Sequence, residues 1–406
     1  MSIFEKSISN ANQLIENKIK IVENGIDTKD VNVNKFFAFG KDRSPIRMII
    51  GNKEFTEFNS LRISYSIDSA CSAFSFDTIF YPSKGMSNTI KPFGLETVKI
   101  EYNDTEIFNG YIEKITTGYS NNGSNLNVQG RSKGGLLVDV DAKKAYYNSN
   151  SIVGIAQLNN ILFVREPTGE NFIAINIDEG ENLFGILSKF ASQKGMYAIP
   201  EFDGGLLFKK IKKLTKTSIS IEDGNQNVLR ISANFDITKR YYQYIGIKKG
   251  VSSKSAFDES INSIRGIKYF RGDDNSGDVS SIASKAKSRM IAESFTLAVS
   301  LSTWTLNNNL LQPGIIVKIL SPMNMVYTPS DFVIKQIDYT YDINNGYIAE
   351  IQFTLPEAYT GENINTNFFG TYQEKDTNLF TKFTKIPDSK DVWDKASKIG
   401  QAIDSL

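Results

Sequence analysis

The chain has 406 residues, 40% hydrophobic and 22% charged, an ordinary globular composition whose length predicts about two to four domains. A formal net charge of +1 leaves no basic excess for duplex nucleic acid, and it removes support for acidic-substrate and membrane-surface binding as well. The chain has no histidine, so the commonest general base, metal ligand and pH switch are all missing, and with Cys71 as the only cysteine neither an intrachain disulfide nor a Cys-based zinc site can form.

In chain order, Phe4, Ile8, Ala11, Ile15 and Ile19 stand at helical spacing and predict a short amphipathic helix, which either packs on its own domain or grips a neighbour. Charges from Glu5 to Lys18 interrupt any signal-peptide core, and no segment approaches the ~20 apolar residues of a membrane span, so the expected site of synthesis and folding is a reducing cytoplasm. Asp27 to Asn34 reads as linker.

From Arg47 to Gln129 the pattern is that of strands: Ile63, Tyr65 and Ile67 alternate with polar residues, as do Val98, Ile100 and Tyr102, and then Leu126 and Val128. Short strands at regular spacing predict a sandwich or barrel, with residues 81–94 as a long Pro- and Gly-bearing loop at one end. The segment Gly130-Arg131-Ser132-Lys133-Gly134-Gly135 lacks the glycine spacing of a phosphate loop and is not read as one.

Residues 150–210 predict a mixed α/β unit. Ile152 to Leu162 has near-helical spacing, and Leu183, Leu187 and Phe190 mark a second helix, with Glu179 and Glu181 near its start and Gly195 just past its end. Two strands follow, joined through Asp203-Gly204-Gly205. Residues 215–250 return to strands, and among them Arg240-Tyr241-Tyr242-Gln243-Tyr244 reads either as a half-buried strand with inward tyrosines or as an aromatic platform for a base or sugar. Asp273 to Asp278 departs from the EF-hand order and is read as a turn before a helix from Ser280 to Met290.

Phe295, Leu297 and Val299 begin a second β-domain that repeats the first. Val98-Lys99-Ile100 returns as Val317-Lys318-Ile319; Ile115, Thr117 and Tyr119 return as Ile337, Tyr339 and Tyr341; Asn121-Asn122-Gly123 returns as Asn344-Asn345-Gly346. Asn-Gly between alternating runs signals a hairpin, and type I′ turns are expected. A loop from Ser321 to Ser330 distinguishes the second copy. Beyond Tyr359 an extended tail is expected, and then Val392, Ala396, Ile399, Ile403 and Leu406 form an amphipathic helix that docks on a partner, on a neighbouring subunit or on its own chain.

The chain shows no nucleophile elbow, and although carboxylates are plentiful, no pair stands out for glycosidase chemistry. Neither catalysis, a metal nor a cofactor is predicted.

Several motifs recur in an order that resembles the baseplate hub family of contractile-tailed phages, of the phage Mu type, related in fold to the T-even phage tail hub. They are Gly130-Arg131-Ser132 with Leu137-Val138-Asp139, then Gly180-Glu181 through Gly195 and Asp203-Gly204. After these come Arg240-Tyr241 with Tyr244, Trp304 leading to Gln312-Pro313-Gly314, and Pro356-Glu357-Ala358-Tyr359. Leu311 stands where that family would have a tryptophan, and neither terminus has a counterpart.

The resemblance implies a mainly β chain with an α+β insert: a first tube-like β-barrel at 46–140, an α+β middle section at 141–265 and a second tube-like β-barrel at 266–359, while the N-terminal helix and linker at 1–45 and the C-terminal tail with its amphipathic helix at 360–406 are read from the residues alone. It also implies a structural homotrimer whose six similar barrels join a six-fold tail tube to a three-fold spike. Such a hub assembles in the host cytoplasm, then resides in a virion or tail-like particle beside other baseplate proteins. Nucleic acid crosses its channel without specific binding, as the near-zero charge suits. The competing expectations are a carbohydrate-active tail enzyme using carboxylates and, against the missing signal peptide, a secreted β-sandwich adhesin.

Overall fold

The computed structural model of the chain describes residues 45–80, 89–121, 123–142, 146–147, 151–167, 175–176, 180–211, 219–271, 279–362 and 364. The expected N-terminal helix and linker, most of the 81–94 loop, the Asp273 to Asp278 turn and the C-terminal helix lie outside the described residues. Among these is the whole docking set Val392, Ala396, Ile399, Ile403 and Leu406.

The first β-module comprises β1 (Ile46–Ile50), β2 (Lys53–Phe55), β3 (Ser60–Ser66), β4 (Ala73–Thr78), β5 (Thr97–Tyr102), β6 (Thr105–Ser120) and β7 (Gly123–Ser132). Strand alternation does the sorting: Leu61, Ile63 and Tyr65 face the core while Arg62 between them is exposed. The strands run in the order β3-β4-β7-β6-β5-β1-β2. A short helix, α1 (Leu136–Asp139), ends the module.

The middle unit follows: β8 (Tyr146–Tyr147), α2 (Ile152–Leu158), β9 (Val164–Arg165), β10 (Ile175–Asn176), α3 (Leu183–Gln193), β11 (Tyr197–Pro200) and β12 (Leu206–Lys209). Its separate core buries Ile152 and Ile155 of α2 against Leu183, Leu187 and Phe190 of α3. Helix α3 starts where the Asn182 side chain accepts from Gly185 N at 2.7 Å, and it stops where Gly195 turns to φ +63, as its C-terminal glycine predicts.

Next come β13 (Ser220–Glu222) and β14 (Val228–Phe235). A small three-stranded sheet of β15 (Gln243–Lys248), β16 (Val251–Phe257) and β17 (Ile267–Arg271) packs on α4 (Val279–Glu293). The chain closes with β18 (Phe295–Leu301), β19 (Thr305–Leu306), β20 (Asn309–Leu310), β21 (Ile316–Ser321), β22 (Val326–Asp342), β23 (Gly346–Thr354) and α5 (Glu357–Thr360).

The protein is therefore mainly β with few helices. Its two β-modules form one 13-stranded sheet, open at β14 and β2, and no closed barrel is detected among the described residues. Three further points differ from the sequence reading. Strands β13 and β14, within the span assigned to the middle section, pair with β21 and β18 of the second module; their polar residues concealed this. Arg240 to Tyr242 do not form the expected strand, because a 3-10 turn over Ile237–Lys239 delays it to Gln243. The Ser321 to Ser330 loop shrinks to a turn at Pro322–Asn324, since β22 already begins at Val326.

Candidate assembly site: the joint between the two β-modules

The repeat read in the sequence holds at the level of individual pairs. Val98 opposes Gly110 and Val317 opposes Phe332, so the Val-Lys-Ile segments of β5 and β21 occupy equivalent rungs. Both long strands carry a bulge at the same place, at Glu113 between Ile112 and Lys114 in β6 and at Lys335 between Ile334 and Gln336 in β22. Along the next strands Phe74 opposes Gly130 as Leu297 opposes Phe353, and beyond them β3 lies against β4 as β14 lies against β18. The orders β3-β4-β7-β6-β5 and β14-β18-β23-β22-β21 thus correspond strand for strand.

The hairpin turns were expected to be type I′. In the turn between β22 and β23 only Gly346 has positive φ, +71, while Asp342 Oδ1 accepts from Asn344 N at 2.9 Å and Asn345 N at 3.2 Å. The longer loop lets the aspartate hold the turn and leaves the left-handed position to glycine alone.

The modules meet edge to edge. Strand β22 pairs with β21 along its first half and with β3 along its second, antiparallel, with Ile337 opposite Tyr65, Tyr339 opposite Ile63 and Tyr341 opposite Leu61. Arg62 Nη2 reaches Asp338 Oδ2 across the joint at 3.3 Å, and Gln336 Nε2 donates to the same oxygen at 3.0 Å.

Beneath the joint lies an aromatic cluster drawn from both modules. Trp304 is fully buried, stacks near Tyr102 and Tyr339 at centroid distances of 5.0 and 5.4 Å, and meets Tyr347 edge-on at 5.5 Å. Its Nε1 donates to Thr340 O at 2.9 Å and Ile348 O at 3.1 Å, meeting the polar requirement of a buried indole. The Tyr65 hydroxyl donates to Ile107 O and the Tyr339 hydroxyl to Leu311 O. Burial pushes both hydroxyls well above the ordinary tyrosine range, so they remain neutral donors. Leu311, at the position where the family would have tryptophan, is itself fully buried and supplies that acceptor carbonyl.

The family-motif residues fall into separate places. Gly130, Arg131, Ser132 and Asp139 stand together at the end of β7. A Cβ on Gly130 would lie 1.9 Å from Tyr111 O, so only glycine fits. Arg131 pairs with Glu113 at 2.6 Å and with Asp139 at 2.5 Å; hydrogen bonds to Glu113 and then Asp139 raise its pKa still further. Ser132 Oγ accepts from Ser72 N at 3.0 Å. Arg240 pairs with buried Asp258 at 2.6 Å, and the Tyr244 hydroxyl accepts from Tyr241 N at 3.0 Å. Tyr244 is buried and stacked on Phe270, an arrangement that holds a loop on its sheet and leaves that ring no free face for a base. Gly195 caps α3. Pro313 and Gly314 turn the chain into β21, with Gly314 at φ +82 donating to Ile334 O at 2.8 Å.

The sequence reading missed the partners of these motifs. Arg165 of β9 reaches Glu201 at 2.6 Å and also pairs with Asp203. Arg289 of α4 donates to the Tyr197 hydroxyl and to Ala358 O, both at 3.1 Å, linking helix, middle unit and the α5 turn. No spacing rule could join residues so far apart. Among the described residues no group of three His, Cys, Asp or Glu is placed to hold a metal, and no helix is long and apolar enough to cross a membrane. Glu101, Asp203 and Asp236 are all held below the usual carboxylate range, the opposite of what a general acid requires.

The duplicated sheet with its buried seam is a fold this chain shares with tail proteins of prophages. Three solved structures share the fold. One is the 43 kDa tail protein of prophage MuSo2 from Shewanella oneidensis, with 19% identity, TM-score 0.66, and 77% of this chain and 99% of that one covered. Another is a tail protein from Neisseria meningitidis, with 17% identity, TM-score 0.66, and 78% and 98% covered. The third is the prophage tail protein gp18 from Listeria monocytogenes, with 11% identity, TM-score 0.52, and 84% and 99% covered. More particularly, residues 45–132 match the family model of the Mu phage baseplate assembly protein GpP-like, N-terminal domain, which bears out the resemblance drawn from the motifs. No curated protein matches the chain by sequence.

Proposed function

We propose that this chain is a structural tail or baseplate hub, acting as a homotrimer and not as an enzyme. The observation that carries the reading is the correspondence of the two modules strand for strand, joined edge to edge by β3 and β22. Two alike modules in one chain, repeated three times about a three-fold axis, form a ring of six similar units. Such a ring offers matching surfaces to a six-fold tail tube on one face and to a three-fold spike on the other, and in it the modules act as segments of tube-like barrels. The near-neutral chain leaves the channel unattractive to passing nucleic acid.

On this reading, 46–140 and 266–359 are the tube-like domains, the second recruiting β13 and β14 and giving β17 to the small sheet of the middle section. The span 141–265 supplies the outer α+β section, and 1–45 and 360–406 are the segments that meet other baseplate proteins. The hub is built in the host cytoplasm and works within a virion or tail-like particle. Size-exclusion chromatography with light scattering, alone and with tube and spike proteins, tests the reading: a three-chain ring with six lobes and a channel by electron microscopy is expected. A monomer that joins neither partner overturns it. The carbohydrate-active alternative predicts released products from peptidoglycan or host polysaccharide across pH 4–8, and none is expected.

A further inference from the structure

The internal joint has a counterpart in each module, on β6 in the first and β14 in the second. The second half of β22, from Gln336, is covered by β3. The equivalent half of β6 pairs only with β7 on its other side; β5 leaves it at Tyr111, and among the described residues no strand covers residues 113–119 on that edge. Likewise β3 lies between β4 and β22, whereas among the described residues its equivalent β14 pairs only with β18 and ends the sheet. One chain therefore has one donor edge and one acceptor edge of the type that already mate within it.

The chemistry of the two edges fits mating. Natural sheets protect free edges with charges, prolines or very short strands. The outermost strand at the other end, β2, is three residues long and carries exposed Lys53 and Glu54. Glu113 and Lys114 at the start of the β6 edge and Arg230 on β14 carry charge, but Ile115-Thr116-Thr117-Gly118-Tyr119 and Ile231-Ser232-Ala233-Asn234 beyond them contain no charge and no proline. Tyr119 is 87% exposed, whereas its equivalent Tyr341 is half-buried beside Phe58 at 5.8 Å, on the rung with buried Leu61. Ile231, the equivalent of Leu61, and Ala233, the equivalent of Ile63, already pack on the edge of the core.

We propose that β14 of one chain pairs antiparallel with residues 113–119 of β6 in a second copy, repeating the β22–β3 joint between chains. Transferring the internal register sets Thr116 opposite Asn234, Thr117 opposite Ala233, Gly118 opposite Ser232 and Tyr119 opposite Ile231. Tyr119 then covers Ile231 as Tyr341 covers Leu61. The contact is head to tail, so it must close into a ring or propagate; it rests on the hub reading, in which closure comes at three chains.

The test uses the full chain with Cys71→Ser. Two double variants, Thr117→Cys with Ala233→Cys and Thr116→Cys with Asn234→Cys, place thiols on adjacent rungs. One of the two is a non-hydrogen-bonded pair, whose side chains approach closely enough for a disulfide. Oxidation should yield a non-reducing ladder that stops at three chains, at least tenfold above an out-of-register control, Thr117→Cys with Arg230→Cys. In parallel, Thr116→Lys with Asn234→Lys, both exposed in the single chain, should disperse the oligomer, and Thr116→Lys with Asn234→Glu should restore it, with the circular dichroism melt of the separated chains unchanged. Trimers that cross-link no better than the control overturn the edge pairing but leave the hub reading standing. Cross-linked filaments without a stop at three uphold the pairing and overturn the closure. Monomers that remain so with tube and spike proteins overturn both.

Discussion

The two β-modules share strand order, bulge and register, yet they pack differently where they correspond. In the first, Phe74 lies across from Gly130, whose missing side chain lets Phe74 and the Tyr111 backbone close in; in the second the large residue has changed strands, Phe353 opposite Leu297. Tyr339 is buried under Trp304, while its equivalent Thr117 is exposed. Lys99 bridges Glu101 at 2.8 Å and Glu106 at 3.0 Å, whereas its equivalent Lys318 makes a single looser contact with Asp331 at 3.7 Å. Backbone pairing therefore defines the module, and side chains of different size can be distributed over it. What the difference teaches is division of labour: the long strand of the second module carries the seam with β3, and among the described residues the equivalent half of β6 in the first is uncovered.

The sharpest way to break the comparison is at the seam. Trp304→Ala removes the largest side chain of the shared core and two satisfied hydrogen bonds, so urea unfolding should show a loss of about 3–5 kcal/mol. Tyr119→Ala, in the module that lacks such a cover, should leave the separated chain within about 0.5 kcal/mol of the parent. Next in size is Gly130→Ala, which forces β6 and β7 apart and should cost about 1–3 kcal/mol by the same measurement.

The lysine pair gives a smaller contrast. Lys99→Met should cost up to about 1 kcal/mol at neutral pH and Lys318→Met less, both sites being partly exposed. The hydrogen bond from Lys99 lowers the Glu101 pKa, so this stability is fully present above the ordinary glutamate range and is lost as pH falls through the depressed folded value. Chemical unfolding at pH 7 and pH 3 should show the Lys99→Met deficit shrinking in acid. A deficit that grows in acid would contradict the pairing.

Much of the fold was legible because strands that bury one face write a period of two into the sequence, and the copied meander wrote it twice, down to Val98 and Val317. Helix α3 announced itself by its stripe and its terminal glycine. Strand β14 lies where strands were expected, but its membership of the second module escaped because it is an edge: Leu229, Arg230 and Asn234 are exposed, so burial imposes no alternation that would tie it to that sheet. The Arg240 to Tyr244 segment misled because tyrosines favour strands, while the Asp236 side chain accepts from Thr238 N at 3.0 Å and sets a turn first. The motif residues were named from sequence, but their partners Glu113, Asp258 and Ile334 lie on other elements.

By itself the sequence determined the period, the caps, the duplication and the lack of histidine chemistry, since each depends on neighbours within a few residues or on composition. Only the tertiary structure decided that the modules share one sheet, that β3 rather than a second chain covers β22, and that β6 and β14 keep their edges. Those outcomes depend on which backbone edges find each other across the chain, and a backbone edge presents the same N–H and C=O groups whatever side chains it carries.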